Sequence, residues 1–183
     1  MRLILLTLTA LFIAVGVAAA DHIVGSSCTP ESCSDHRYWP RMTIDDVQKC
    51  MSVDFGCHLE GQDDADELLG YHASDFLHGH GGPDVLWGDW KGGADQPTGQ
   101  HDTIRGGSGG DFIYGSHGRN TIYAGSGNDV ISVHYGRGYV NCGRGRDVYH
   151  VARTRKRGYR FRNCEKVDYR SEAQRGGPLV PLR

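Results

Sequence analysis

GGSGGDFIY, GSHGRNTIY and AGSGNDVIS follow one another without a gap from Gly106 to Ser132. Each nine-residue phrase carries an acid or its amide at the sixth place (Asp111, Asn120, Asp129) and isoleucine at the eighth (Ile113, Ile122, Ile131). A helix does not accept this much glycine, because each one costs roughly 1 kcal/mol relative to alanine. An irregular loop has no reason to keep a metre.

The metre extends well beyond these phrases. Stepping in nines from Asp111 meets Asp66, Asp75, Asp84, Gly93, Asp102, Asn120, Asp129, Gly138 and Asp147. Two residues after each of the ten places stand Leu68, Leu77, Leu86, Asp95, Ile104, Ile113, Ile122, Ile131, Val140 and Tyr149, eight of them aliphatic. Glycine at the early places gives the backbone left-handed conformations and close approach. A six-residue turn followed by a three-residue strand then points the aliphatic side chain inward, with its neighbours outward.

The nonamers Gly106–Tyr114 and Ala124–Ser132 are the best copies of G-G-x-G-x-D-x-U-x, with U a large aliphatic residue, the second having alanine at the first place. Over residues 61–150 the chain resembles the haemolysin-type (RTX) calcium-binding repeat family. The resemblance and the periodicity imply the same fold: all-β, a right-handed parallel β-roll in which two nonamers make one coil of eighteen residues and two sheets.

Such a roll has a thin core and a glycine-rich chain that is costly to order. Acids stacked every eighteen residues stand about 5 Å apart, where two like charges at an effective dielectric of ~20 repel by about 3 kcal/mol. Ca²⁺ resolves both difficulties, since it takes six to eight oxygens from carboxylates and carbonyls in flexible geometry, whereas Mg²⁺ demands a tight octahedron. Counting in eighteens puts Asp75, Gly93, Asp111, Asp129 and Asp147 on one edge and Asp66, Asp84, Asp102, Asn120 and Gly138 on the other. The first edge is expected to hold two complete sites, from Asp111, Asp129 and Asp147 with carbonyls of Gly107, Gly109, Gly125, Gly127, Gly143 and Gly145. The second is expected to hold partial sites at Asp66, Asp84 and Asp102 and none below. Arg119, Arg137, Arg144 and Arg146, beside the acid places, are positioned to stand in for a missing cation.

The ends read differently. Arg2, the apolar run Leu3–Val17 and Ala18-Ala19-Ala20 form a signal peptide over residues 1–20, and no second apolar run offers a transmembrane segment. Six cysteines in an exported chain point to disulfides, with fifteen pairings open. Their clustering suggests a stapled cap over 21–60, from Cys28, Cys33, Cys50 and Cys57, and a separate Cys142–Cys164 clasp on a C-terminal cap over 151–170. Thr43, followed by Ile44, Asp45 and Asp46, signals a short cap helix to about Met51. Residues 171–183 read as a disordered tail.

Residues 21–136 hold eighteen acids against six bases, and residues 137–183 hold four against thirteen. The basic end reads as a solvated face, and no nucleic acid is expected as a partner. Outward aromatics form two rows, Phe76, Phe112 and Tyr114 on one sheet and Trp87, Tyr123 and Tyr139 on the other, to be covered by a terminal segment or offered to an envelope polymer or protein partner. His72, His78 and His80, with His58 and His101, raise the question of a transition metal. H-E-x-x-H does not occur, and the one G-x-S-x-G, Gly106–Gly110, is the glycine-rich opening of a repeat nonamer, so the expected function is non-catalytic calcium binding by a secreted protein. An adhesin, or an accessory part of a secreted hydrolase, is the alternative.

Overall fold

Leu59, Leu77, Ile104, Ile122 and Val140 form one inward ladder, and Leu68, Leu86, Ile113 and Ile131 form another facing it, all of them fully buried in one core. Two sheets carry these ladders in a parallel β-solenoid of about six turns. The computed structural model describes residues 21–24, 46–50, 55–90, 98–115, 117–154 and 156–170. The expected signal peptide over 1–20, Cys28, Cys33, Gly93, Asp95 and the expected tail over 171–183 lie outside the described residues.

In chain order the strands are β1 (Asp21–Val24), β2 (Asp46–Lys49), β3 (His58–Glu60), β4 (Asp66–Leu69), β5 (Phe76–Gly81), β6 (Val85–Trp87) and β7 (His101–Ser108). They continue as β8 (Phe112–Tyr114), β9 (Arg119–Ser126), β10 (Val130–Ser132), β11 (Arg137–Arg144), β12 (Val148–His150), β13 (Tyr159–Arg162) and β14 (Lys166–Asp168). One sheet runs β1-β2-β4-β6-β8-β10-β12-β14 and the other β13-β11-β9-β7-β5-β3. Every pairing is parallel except β1 with β2. Among the described residues there is no α-helix, only a short 3₁₀ turn at Lys156–Gly158.

Three expectations need correction. The helix signalled at Thr43 does not run through Asp46–Lys49. Those residues are β2, paired in register from Asp46↔Asp66 to Lys49↔Leu69. A capping residue satisfies a few N–H groups locally, but the edge of β4 offers a whole ladder and buries Val47 against Leu69 and Val85. The ladders also begin before residue 61, with β2 and β3, and continue past 150 with β13 and β14. Disulfides tie both ends: Cys50 to Cys57 at a Cα separation of 5.9 Å, and Cys142 to Cys164 at 5.1 Å.

The third correction concerns the edges. Four residues separate β8 from β9, but thirteen separate β6 from β7. The turn leaving β6 therefore holds one extra repeat length, and stacked neighbours across it are 27 residues apart: Val85↔Phe112 and Phe76↔Thr103. Because the excess equals the period, the nine-residue count passes through undisturbed while the two edges exchange roles. Asp84 stacks on Asp111, and Asp75 on Asp102. The aromatic rows exchange in the same way. Trp87, Phe112 and Tyr114 share the eight-stranded sheet, where Trp87 stacks on Tyr114 at 5.0 Å, while Phe76, Tyr123 and Tyr139 share the six-stranded one. Phe112 and Tyr114 are buried, whereas Tyr123 is exposed.

The ladder makes a graded prediction. Ile113→Val is expected to cost ~0.5–1.5 kcal/mol and Ile113→Ala ~2–5 kcal/mol, measured by urea unfolding in saturating calcium. Equal, small effects of both would show that the ladder does not carry the core.

Candidate metal centre

Asp66, Asp84, Asp111, Asp129 and Asp147 line the edge where the chain passes from the six-stranded to the eight-stranded sheet. Each donates its backbone N–H to a carboxylate oxygen of the acid one turn on: Asp66 to Asp84 at 2.9 Å, Asp84 to Asp111 at 3.0 Å, Asp111 to Asp129 at 3.0 Å and Asp129 to Asp147 at 2.9 Å. Asp147 completes the series by donating to Glu165 Oε2 at 2.9 Å. On the opposite edge Cys57 donates to Asp75 at 2.7 Å and Asp75 to Asp102 at 3.0 Å.

Each carboxylate thus engages one oxygen. The other, Oδ2 of Asp84, Asp102, Asp111, Asp129 and Asp147, is buried and accepts no hydrogen bond among the described residues. Asp66 and Asp75 differ, because their Oδ2 atoms accept the N–H of Gln62 (2.6 Å) and Tyr71 (2.7 Å). Outside the long turn that precedes Asp102, the second place of the turn decides which case holds. His80, Gly107, Gly125 and Gly143 stand there with φ of 73, 122, 121 and 103°, a conformation that favours glycine. In those turns no N–H reaches the acid, and its oxygen is left for another partner.

In the turns of Asp84 and Asp111 the first place is glycine and keeps room beside that oxygen, whereas Ala124 and Cys142 stand there in the turns of Asp129 and Asp147. A Cβ on Gly106 would stand 2.3 Å from Asp111 Oδ2 and 2.2 Å from the Ala124 carbonyl, and one on Gly79 would stand 2.1 Å from Asp84 Oδ2 and 2.6 Å from the Gly106 carbonyl. Carboxylate and next-turn carbonyl therefore face a common space that a side chain would fill. The carbonyls of Gly107 and Gly109 lie between turns, against Gly125 and Gly127, and those of Gly125 and Gly127 lie against Gly143 and Gly145.

The electrostatics match the missing partner. Burial raises Asp84, Asp102 and Asp129 to about 8, Asp111 to about 7 and Asp147 to about 6. For Asp129 the charges of Asp111 and Asp147 add to the effect. Buried carboxylates beside carbonyls, with no soft donor among them, suit a hard divalent cation. Asp84, Asp111, Asp129 and Asp147 would hold calcium on this edge, neutralising charges that burial otherwise forces to take protons. Asp102 is the corresponding acid on the other edge, with Asp89 nearby; Asp89 accepts from Gln100 Nε2 at 3.0 Å and His117 N–H at 3.2 Å, and burial raises it to about 7. Lower on that edge Asn120 Nδ2 donates to the Tyr159 hydroxyl at 3.0 Å, and Tyr159 donates to the Tyr135 carbonyl at 2.8 Å.

Residues 58–86 and 98–131 match the RTX calcium-binding nonapeptide repeat in four copies. These two segments are similar to RTX repeats. The interruption of the RTX match falls on the long turn between β6 and β7. No curated protein and no solved structure matches the chain. The nonapeptide repeats are calcium-binding motifs. Sequence reasoning stopped one rung early: Glu165 lies eighteen residues past Asp147, on the same count, and receives the last N–H. Asp89 gave no periodic signal, since it stands inside the long turn.

These shifts make pH a test. The acids are raised in the metal-free fold above their unfolded value of about 4, so the folded state binds more protons in between. Their contribution to stability is complete below about pH 4 and is lost as pH rises through 6 to 8. Metal-stripped protein should therefore melt at a lower temperature at pH 8 than at pH 5.5, while calcium affinity should rise over the same interval. Parallel pH profiles for the stripped and loaded protein would contradict the assignment.

Proposed function

We propose that the protein is an exported, non-catalytic module whose β-roll is ordered and stabilised by extracellular calcium. The observation that carries this reading is the file of buried Oδ2 atoms on Asp84, Asp111, Asp129 and Asp147, each left without a donor by the same turn conformation. Two disulfides fit an oxidising compartment outside the cytosol, in keeping with the apolar leader at residues 1–20. Among the described residues no helix is long and apolar enough to cross a membrane. Extracellular calcium modules bind at ~10⁻⁴–10⁻³ M, an affinity that leaves the roll unfilled in the cytosol and filled outside.

A second reading, docking of an envelope polymer, draws on Tyr123, which is exposed and packs edge-on against Tyr139 at 5.8 Å on the outer face of the six-stranded sheet. Tyr123→Ala with unchanged retention on cell-wall fractions would remove it.

The calcium reading is tested by titrating the ion into chelator-treated protein and following far-UV circular dichroism and binding heat together. A gain of β signal that saturates with binding is expected, and the absence of both refutes the proposal. Asp111→Ala with Asp129→Ala should raise the calcium midpoint by on the order of tenfold or more, about 1.4 kcal/mol. Asp66→Ala should move it less, because Gln62 already claims that oxygen.

A further inference from the structure

Outside the carboxylate edges, one group of side chains has a different chemistry. Glu60 on β3 stands opposite His78 on β5. Alternation along the strands sets His58 beside Glu60 and His80 beside His78 on the outward face. Glu60 Oε1 lies 2.5 Å from His58 Nε2, while Glu60 Oε2 lies 2.5 Å from His80 Nε2 and 3.3 Å from His78 Nδ1. Ligand atoms of Glu60, His78 and His80 all fall within 4.8 Å of one another. Of the histidines singled out in the sequence, His72 and His101 are not in this group. His72 packs on Tyr71, and His101 Nε2 meets Thr121 Oγ1 at 2.9 Å.

Two features go beyond a surface hydrogen-bond cluster. First, His78 and His80 aim at the same carboxylate oxygen with their rings 3.7 Å apart, an arrangement that crowds two donors where a shared cation would be served by both. Second, the turn requires a positive φ at residue 80, which later turns meet with Gly107, Gly125 and Gly143. Here a side chain is accepted at that cost, and it is the one that reaches Glu60.

We propose that Glu60, His78 and His80, with His58 alongside, form a second metal site for a transition ion of the Zn²⁺ class on the outer face of β3 and β5. Imidazole nitrogens with one carboxylate are a zinc donor set, whereas calcium takes oxygen alone. Among the described residues β3 is the edge strand of its sheet, so the ion would tie the edge to its neighbour. Gln48 Nε2, donating to the Glu60 carbonyl at 2.5 Å, holds the ligand-bearing strand in place.

The test titrates Zn²⁺ into the full chain in saturating calcium, by calorimetry, with the visible spectrum of Co²⁺ reporting nitrogen ligation. One equivalent is expected per chain. His78→Asn and His80→Asn should each weaken it by about tenfold or more, asparagine being tolerant of the positive φ at residue 80. His101→Asn, remote from the group, should change nothing. No zinc uptake in the unaltered chain, or uptake indifferent to His78→Asn and His80→Asn, overturns the site. Should either β5 variant lose its far-UV spectrum, Glu60→Gln and His58→Ala carry the decision from the neighbouring strand, and zinc affinity unmoved by both overturns it equally.

Discussion

The hydrogen bond from the backbone of one acid to the carboxylate of the next is the contact on which the edge of the roll depends. It sets the spacing of the turns, and it orients every acid so that one oxygen is engaged and the other is turned into the protein. Stacking by this bond alone is self-defeating, because each further coil buries another negative group beside the last. Burial pushes Asp84, Asp111, Asp129 and Asp147 upward, and neighbouring acids add to this at Asp84, Asp129 and Asp147. A divalent ion is the resolution that the donor set allows, and protons are the resolution left when the ion is withdrawn.

Much of this was legible in the residues themselves. Branched aliphatics two places after each acid identify an inward ladder, because only a coil with a fixed return length brings them together, and Ile104, Ile122 and Val140 are stacked as that rhythm requires. The stretch at Asp46–Lys49 was less legible. Its capping signals are local, whereas its conformation is set by a neighbouring strand supplied twenty residues later. Edge membership was also hidden, since it depends on the parity of the repeat count, and an extra repeat length in one turn changes parity without disturbing the metre.

The histidines show the same limit from another side. Proximity in sequence groups His72 with His78 and His80, but the strand that follows pleats only His78 and His80 to one face. Their partners His58 and Glu60 come from a different coil. A parallel roll assembles surface chemistry across coils, at eighteen-residue distance, rather than along the chain. Glu60 therefore belongs with residues that no local motif would connect to it.

The long turn after β6 has a consequence for how such proteins change over time. The coil needs only that the chain return to the same rung, and the coils on either side remain paired whether four residues or thirteen intervene. Closing a longer loop adds only a logarithmic entropy cost. The connection from β6 to β7 is thus a place where new sequence can be spliced while the acid-lined edge across the roll keeps its alignment.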